Sequence, residues 1–132
     1  MNIFFDIDQT LISHNGLIRP LAAHVIDRLI SDSHVVYIWS GLGVRVEEVR
    51  ALGLIDKVNG VYAKPTERFE RGLKELNIPV RPDAVVDDHP EIVDHFGGVV
   101  VWPYFWPDET DQEMILVYER LTEIALNNGV DS

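Results

Sequence analysis

Asp6 and Asp8 stand one residue apart where the apolar run "NIFFDI" gives way to polar residues. Adjacent carboxylates repel each other unless a cation or a proton relieves them. Three other apolar runs end in groups suited to the same chemistry. "VVYIWSG" closes on Ser40 and Gly41, "VYAK" on Lys64, and "AVVDD" on Asp87 and Asp88. Three or four carboxylates can hold Mg²⁺, a hard cation that takes oxygen ligands and shares them with phosphates. A lysine and a hydroxyl suit the non-bridging oxygens of a phosphoryl group. On extended backbone, residues i and i+2 point to one side, so Asp6 and Asp8 can face a single phosphate.

Taken singly, each residue has a plainer reading. The aspartate pair could be a solvated strand end, Ser40 a turn residue, and Lys64 a surface lysine before a helix. Asp87 and Asp88 could cap the helix that Pro90 starts and complement its dipole. Only their common place at strand ends makes the four a set. His24 and His34 read as structural or solvent-facing, whereas His14 and His89 lie nearer the strand ends, without a metal-ligand spacing.

Strands and helices alternate around these residues. "NIFFDI", "HVVYIWS", "VNGVYA", "DAVVDD" and "GGVVVW" read as short strands, most of them apolar on both faces. Between them, "PLAAHVIDRLI" carries Leu21, Val25 and Leu29 at helical spacing, with Pro20 suited to a first turn. "GVRVEEVRALG" places Val46, Val49 and Leu52 on one side, with Gly53 as a stop. "PTERFERGLKEL" is predicted helical from an N-cap at Thr66 to a stop at Asn77. "TDQEMILVYERLTEIAL" opens with a capping box from Thr110 to Glu113 and ends near Gly129. The pattern predicts one α/β domain over residues 1–132, a three-layer sandwich around an open five-stranded parallel sheet. In such sheets ligands bind outside the carboxyl ends of the strands, where all four polar groups fall.

The 132 residues carry 11 basic and 22 acidic side chains, a net charge of −11, and no cysteine. Disulfides and thiolate metal sites are therefore excluded. The acidic balance disfavours nucleic acid, because phosphate counterions are displaced by basic side chains. No run has the length of a membrane span, and Asp6 interrupts the only N-terminal apolar stretch, so a cytoplasmic location without a membrane partner is expected.

The order "FFDIDQTL", "VVYIWSG", "AKPTERF", "AVVDD" resembles the four motifs of the haloacid dehalogenase superfamily of phosphotransferases. The resemblance covers most of the chain, in the right order and on the expected elements. It implies that Asp6 is a nucleophile that takes the phosphoryl group as an aspartyl-phosphate. Asp8 would protonate the leaving oxygen and then activate water. It further implies a Mg²⁺ cofactor held by Asp6, the backbone carbonyl of Asp8, Asp88 as first acid and Asp87 as a second or outer one. Ser40 and Gly41 would meet phosphoryl oxygens, Lys64 would offset charge on nucleophile and phosphoryl group, and Thr10 would hold the turn. Because relatives that do not protonate an oxygen leaving group often lack the second acid, Asp8 favours hydrolysis of phosphate monoesters. Two departures stand out: Gln9 replaces a common glycine, and Asp94 lies too far along to count as a ligand.

Many relatives insert a cap domain between the first two or the last two motifs. Here 29 residues separate Thr10 from Ser40 and 22 separate Lys64 from Asp87, all taken up by predicted core elements. A capless, open site is expected, suited to a bulky or macromolecular phosphorylated substrate. "VVVWPYFWPDET" concentrates Trp102, Tyr104, Phe105 and Trp106 beyond the last strand. Its rings are expected chiefly to seal the sheet edge and pack the final helix, with a partner patch, including homo-oligomer contact through 102–107, as the other use. Two further functional readings stay open. One is a non-catalytic or weakly active phosphate- and partner-binding module. The other is a polynucleotide-end phosphatase, which fits an open site but not the charge.

Overall fold

The computed structural model describes residues 1–129 as a five-stranded, all-parallel sheet with helices on both faces. In chain order the elements are β1 (Asn2–Asp6), α1 (Ala22–Ser31), β2 (Val35–Ser40), α2 (Val46–Ala51) and β3 (Val61–Ala63). They continue with α3 (Phe69–Glu75), β4 (Ala84–Asp87), α4 (Pro90–Phe96), β5 (Gly98–Val100) and α5 (Glu113–Asn127). The spatial order is β3-β2-β1-β4-β5, so strand order reverses direction between β1 and β4. Asp6 and Asp87 end those two strands.

Side chains alternate across the sheet and fill two cores. Ile3, Phe5, Ile38 and Val86 pack under α1, Val49 of α2 and the Met114, Val117 and Leu121 face of α5. Phe4, Tyr37, Trp39 and Val85 pack under Leu73 of α3 and Ile92, Val93 and Phe96 of α4. Both faces of the central strands are thus covered, which is why β1, β2 and β4 are nearly all apolar. β5 joins through Gly98, whose φ of +135° and approach to the Val85 backbone leave no room for a Cβ. The described residues hold no inserted domain between β1 and β2 or between β3 and β4.

Helix starts differ from the sequence expectation, each for a local reason. α1 begins at Ala22 rather than at Pro20, because Leu21 is left-handed (φ +66°) and breaks the helical path. α3 begins at Phe69 after left-handed Arg68, and Thr66 does not cap it. The Thr110–Glu113 capping box does not form. The Thr110 amide and hydroxyl both donate to Asp108, and the Glu113 carboxylate accepts from the Trp102 amide 2.7 Å away. The aromatic segment also departs from its expected packing role. Tyr104 is buried, but Trp102 is 80% and Trp106 71% exposed. Hydrogen bonds from the Tyr104 amide to the Gln9 carbonyl and from the His14 amide to the Phe105 carbonyl tie the segment to the loop after β1, leaving those two indoles outside the core.

Candidate active site

The carboxyl end of β1 sets the floor of the site. Asp6 is 3% exposed, with Oδ1 accepting from Lys64 Nζ at 3.0 Å and Oδ2 from the Thr10 hydroxyl at 3.1 Å. Burial, aided by the charge of nearby Asp87 and opposed by Lys64, raises its pKa from the ordinary 3.8 to about 7. The turn after it is compact: the amides of Thr10, Leu11 and Ile12 all donate to the Ile7 carbonyl. Gln9 adopts φ +60° in that turn, the region glycine enters freely and other residues enter at a cost of about 1 kcal/mol.

Lys64 reaches the floor from the end of β3, two strands away. Its Nζ lies 3.0 Å from Asp6 and 2.9 Å from Asp87, and its side chain is 8% exposed. Burial opposes its charge, but the two carboxylates outweigh burial and hold its pKa above the ordinary lysine value. Asp87 is fully buried and committed, Oδ2 to Lys64 and Oδ1 to the His89 amide at 2.9 Å. Asp88 differs: its buried Oδ1 has no hydrogen-bond partner. The His89 ring nitrogen Nδ1 lies 3.2 Å from Asp87 Oδ1 and 3.3 Å from Asp88 Oδ1. Burial lowers the His89 pKa, and the Asp88 and Asp87 charges more than reverse this, leaving it raised.

One potential ligand atom from each of Asp6, Asp87, Asp88 and His89 falls within 4.8 Å of the others. The donor set is oxygen-rich, and a buried Asp88 oxygen that accepts no hydrogen bond is what a cation ligand would leave behind. Asp88 therefore suits the first-ligand place better than Asp87, whose oxygens already serve Lys64 and the His89 backbone.

Asp8 stands at the wall rather than the floor. Its carboxylate accepts from Arg45 at 2.6 Å, and the same guanidinium nitrogen lies 3.3 Å from Ser40 Oγ. Ser40 is 1% exposed and also accepts from the Leu42 amide at 3.1 Å. Its hydroxyl proton is thus not spent on either contact. Asp6, Asp8, Gly41 and Lys64 line a cavity of about 660 Å³, whereas Ser40 lies behind its wall. Thr66 and His89 line it as well. Gly41 allows close approach here, since a Cβ would meet the Thr66 methyl at 3.1 Å. His14 is elsewhere, stacked on Phe105 with Nδ1 2.8 Å from the Phe105 carbonyl.

Sequence reasoning missed Arg45 and the place of Thr66. Arg45 lies in a loop five residues after Ser40, a spacing with no recurring meaning. Thr66 looked like a cap because it precedes a helix by the usual interval. Arg19 was missed too. Its buried guanidinium pairs with Asp111 at 2.7 Å and 3.1 Å and donates to the Thr10 carbonyl at 3.3 Å, bracing the turn that holds Asp6. No family model, curated protein or solved structure matches this chain.

Proposed function

We propose that the protein is a Mg²⁺-dependent, capless phosphatase of the haloacid dehalogenase type that hydrolyses a phosphate monoester through Asp6. The observation that carries this reading is the buried Asp6, held by Lys64 and Thr10 beside an Asp88 oxygen that accepts no hydrogen bond, at the base of an open cavity. The placement of this floor where strand order reverses supports it.

In this mechanism a carboxylate oxygen of Asp6 attacks phosphorus while the bond to the ester oxygen breaks. Asp8, entering this step protonated on the oxygen that Arg45 does not hold, gives that proton to the departing oxygen, so an alcohol leaves. The Asp8 carboxylate then takes a proton from a water that attacks the phosphorus. The bond to Asp6 breaks, inorganic phosphate forms, and both aspartates return to their starting states. Lys64 balances charge on Asp6 and on the phosphoryl oxygens throughout. Thr10 keeps the Asp6 carboxylate oriented, and Arg45 fixes the Asp8 carboxylate at the cavity wall. Mg²⁺, held by Asp6, Asp88 and the Asp8 carbonyl, would neutralise the phosphoryl oxygens.

A panel of phosphate esters with and without Mg²⁺, beside Asp6→Asn, tests the proposal. Metal-dependent turnover that the substitution abolishes is expected. Metal-independent turnover, or full activity in the variant, would overturn it. A second reading, a phosphate- and partner-binding module, draws on the exposed rings of Trp102 and Trp106. Absence of turnover on every ester would favour it, and analytical ultracentrifugation would test a second copy of the chain as the partner. A cytoplasmic location belongs to the same proposal; among the described residues, no helix is long and apolar enough to cross a membrane.

A further inference from the structure

We propose that the cavity selects phosphate monoesters whose leaving group is a flat, uncharged, apolar unit, of benzyl or aryl kind. This rests on the phosphatase reading and adds to it a substrate class. Three observations point the same way.

The first is room. A cavity of about 660 Å³ lies in the range that holds a whole small organic ligand, far more than a phosphoryl group fills. The second is the wall above the charged floor. Leu42 from the loop after β2, Pro65 after β3, Phe69 of α3 and Ile92 of α4 line it together. Leu42 is 79% exposed and makes no part of either core, so its apolar surface is available to a ligand. Phe69 is braced from behind, its ring centroid 5.3 Å from His95 and 6.0 Å from Phe96. A ring held in this way offers a fixed face for stacking.

The third is the charge inventory. Lys64 is shared between Asp6 and Asp87, and His89 lies against Asp87 and Asp88. Arg45 is bound to Asp8 and is not among the residues lining this cavity. Glu91 at the wall adds a negative charge. A second phosphate, a carboxylate or a polynucleotide backbone would meet no spare cation and would face Glu91, a repulsion that discriminates against such esters.

The test compares benzyl phosphate with ethyl phosphate, whose alcohols are similarly acidic, so that a difference reports recognition rather than leaving-group chemistry. With the full chain and Mg²⁺, kcat/KM is expected to favour benzyl phosphate by about tenfold or more. Glycerol 3-phosphate, 3-phosphoglycerate and a 3′-phosphorylated oligonucleotide should be poor substrates. Phe69→Ala should reduce the benzyl preference to about threefold or less. Leu42→Ser, at an exposed position without a folding role, should lower the preference in the same direction. A phosphotyrosine peptide run beside benzyl phosphate separates a protein-borne source of this chemistry from a free ester. Equal kcat/KM for the two esters, or preference for the glycerol, carboxylate or oligonucleotide ester, would overturn the substrate class while leaving the phosphatase reading intact. Competition between benzylphosphonate and methylphosphonate separates the two claims from the other side. No turnover, but tighter binding of benzylphosphonate that Phe69→Ala removes, would overturn the phosphatase reading and sustain the apolar selectivity.

Discussion

Asp6, Lys64 and Asp87 put two buried carboxylates on one ammonium, so one negative charge in the floor is uncompensated. Asp6 carries that imbalance as a pKa raised from 3.8 to about 7, through burial first and Asp87 second. The sign of the linkage follows: between those two values the folded chain binds more protons than the unfolded chain, so this group's contribution to stability is lost as pH rises. In Mg²⁺-free buffer the melting temperature is expected to fall by on the order of 5 °C between pH 5 and pH 8. Asp6→Asn should flatten that fall and raise the melting temperature at pH 8; an unchanged slope would show that other groups cause it. Lys64→Met removes the ammonium that Asp6 and Asp87 share and should cost about 3 kcal/mol or more at pH 8, measured by urea denaturation. The cost should shrink at pH 5, where Asp6 takes up a proton. Under the proposed mechanism, Asp8→Asn should instead lower kcat by about 10²- to 10⁴-fold, and less for an ester whose leaving group needs no proton.

At the scale of elements, Arg19 links the segment before α1 to the segment before α5 and to the turn after β1. Arg19→Met leaves Asp111 without its guanidinium and should destabilise the fold by about 3 kcal/mol, read from denaturant unfolding. Asp111→Asn should cost less, because a neutral acceptor remains for the guanidinium. This strut also shows what the sequence made legible. The strands and helices followed from apolar period and length, since both faces of the sheet are buried and each helix carries one apolar stripe. The helix starts did not, because left-handed Leu21 and Arg68 and distant partners such as Trp102 for Glu113 override local capping. The site divided in the same way. Asp6, Asp8, Lys64 and the Asp87-Asp88 pair were readable because strand ends converge in a parallel sheet. Arg45, Thr66 and Arg19 reach the site by tertiary approach, which no local spacing records.

Across the whole molecule, the buried and exposed members of the aromatic segment predict different outcomes. Tyr104 is 5% exposed, lies under the Arg19 guanidinium at 5.1 Å, and hydrogen-bonds the Asp108 amide. Tyr104→Ala should destabilise the protein by about 3 kcal/mol. Trp106→Ser should change stability by no more than about 0.5 kcal/mol, since its indole is mostly in solvent. Thermal and urea unfolding of both variants check the contrast. Equal losses would mean that the outer ring carries packing energy after all.

The order β3-β2-β1-β4-β5 has a consequence for synthesis on the ribosome. Asp6 leaves the exit tunnel before Lys64, and Asp87 and Asp88 follow only with β4, the other neighbour of β1. A nascent chain ending before β4 has Asp6 and Lys64 without Asp87 and Asp88, and one open side on β1. Parallel pairings of this sequence separation form slowly because a long loop must close first. On the proposed phosphatase reading, phosphate release from chains of increasing length should therefore switch on only after β4 has emerged and docked, timing activity to a late event in folding.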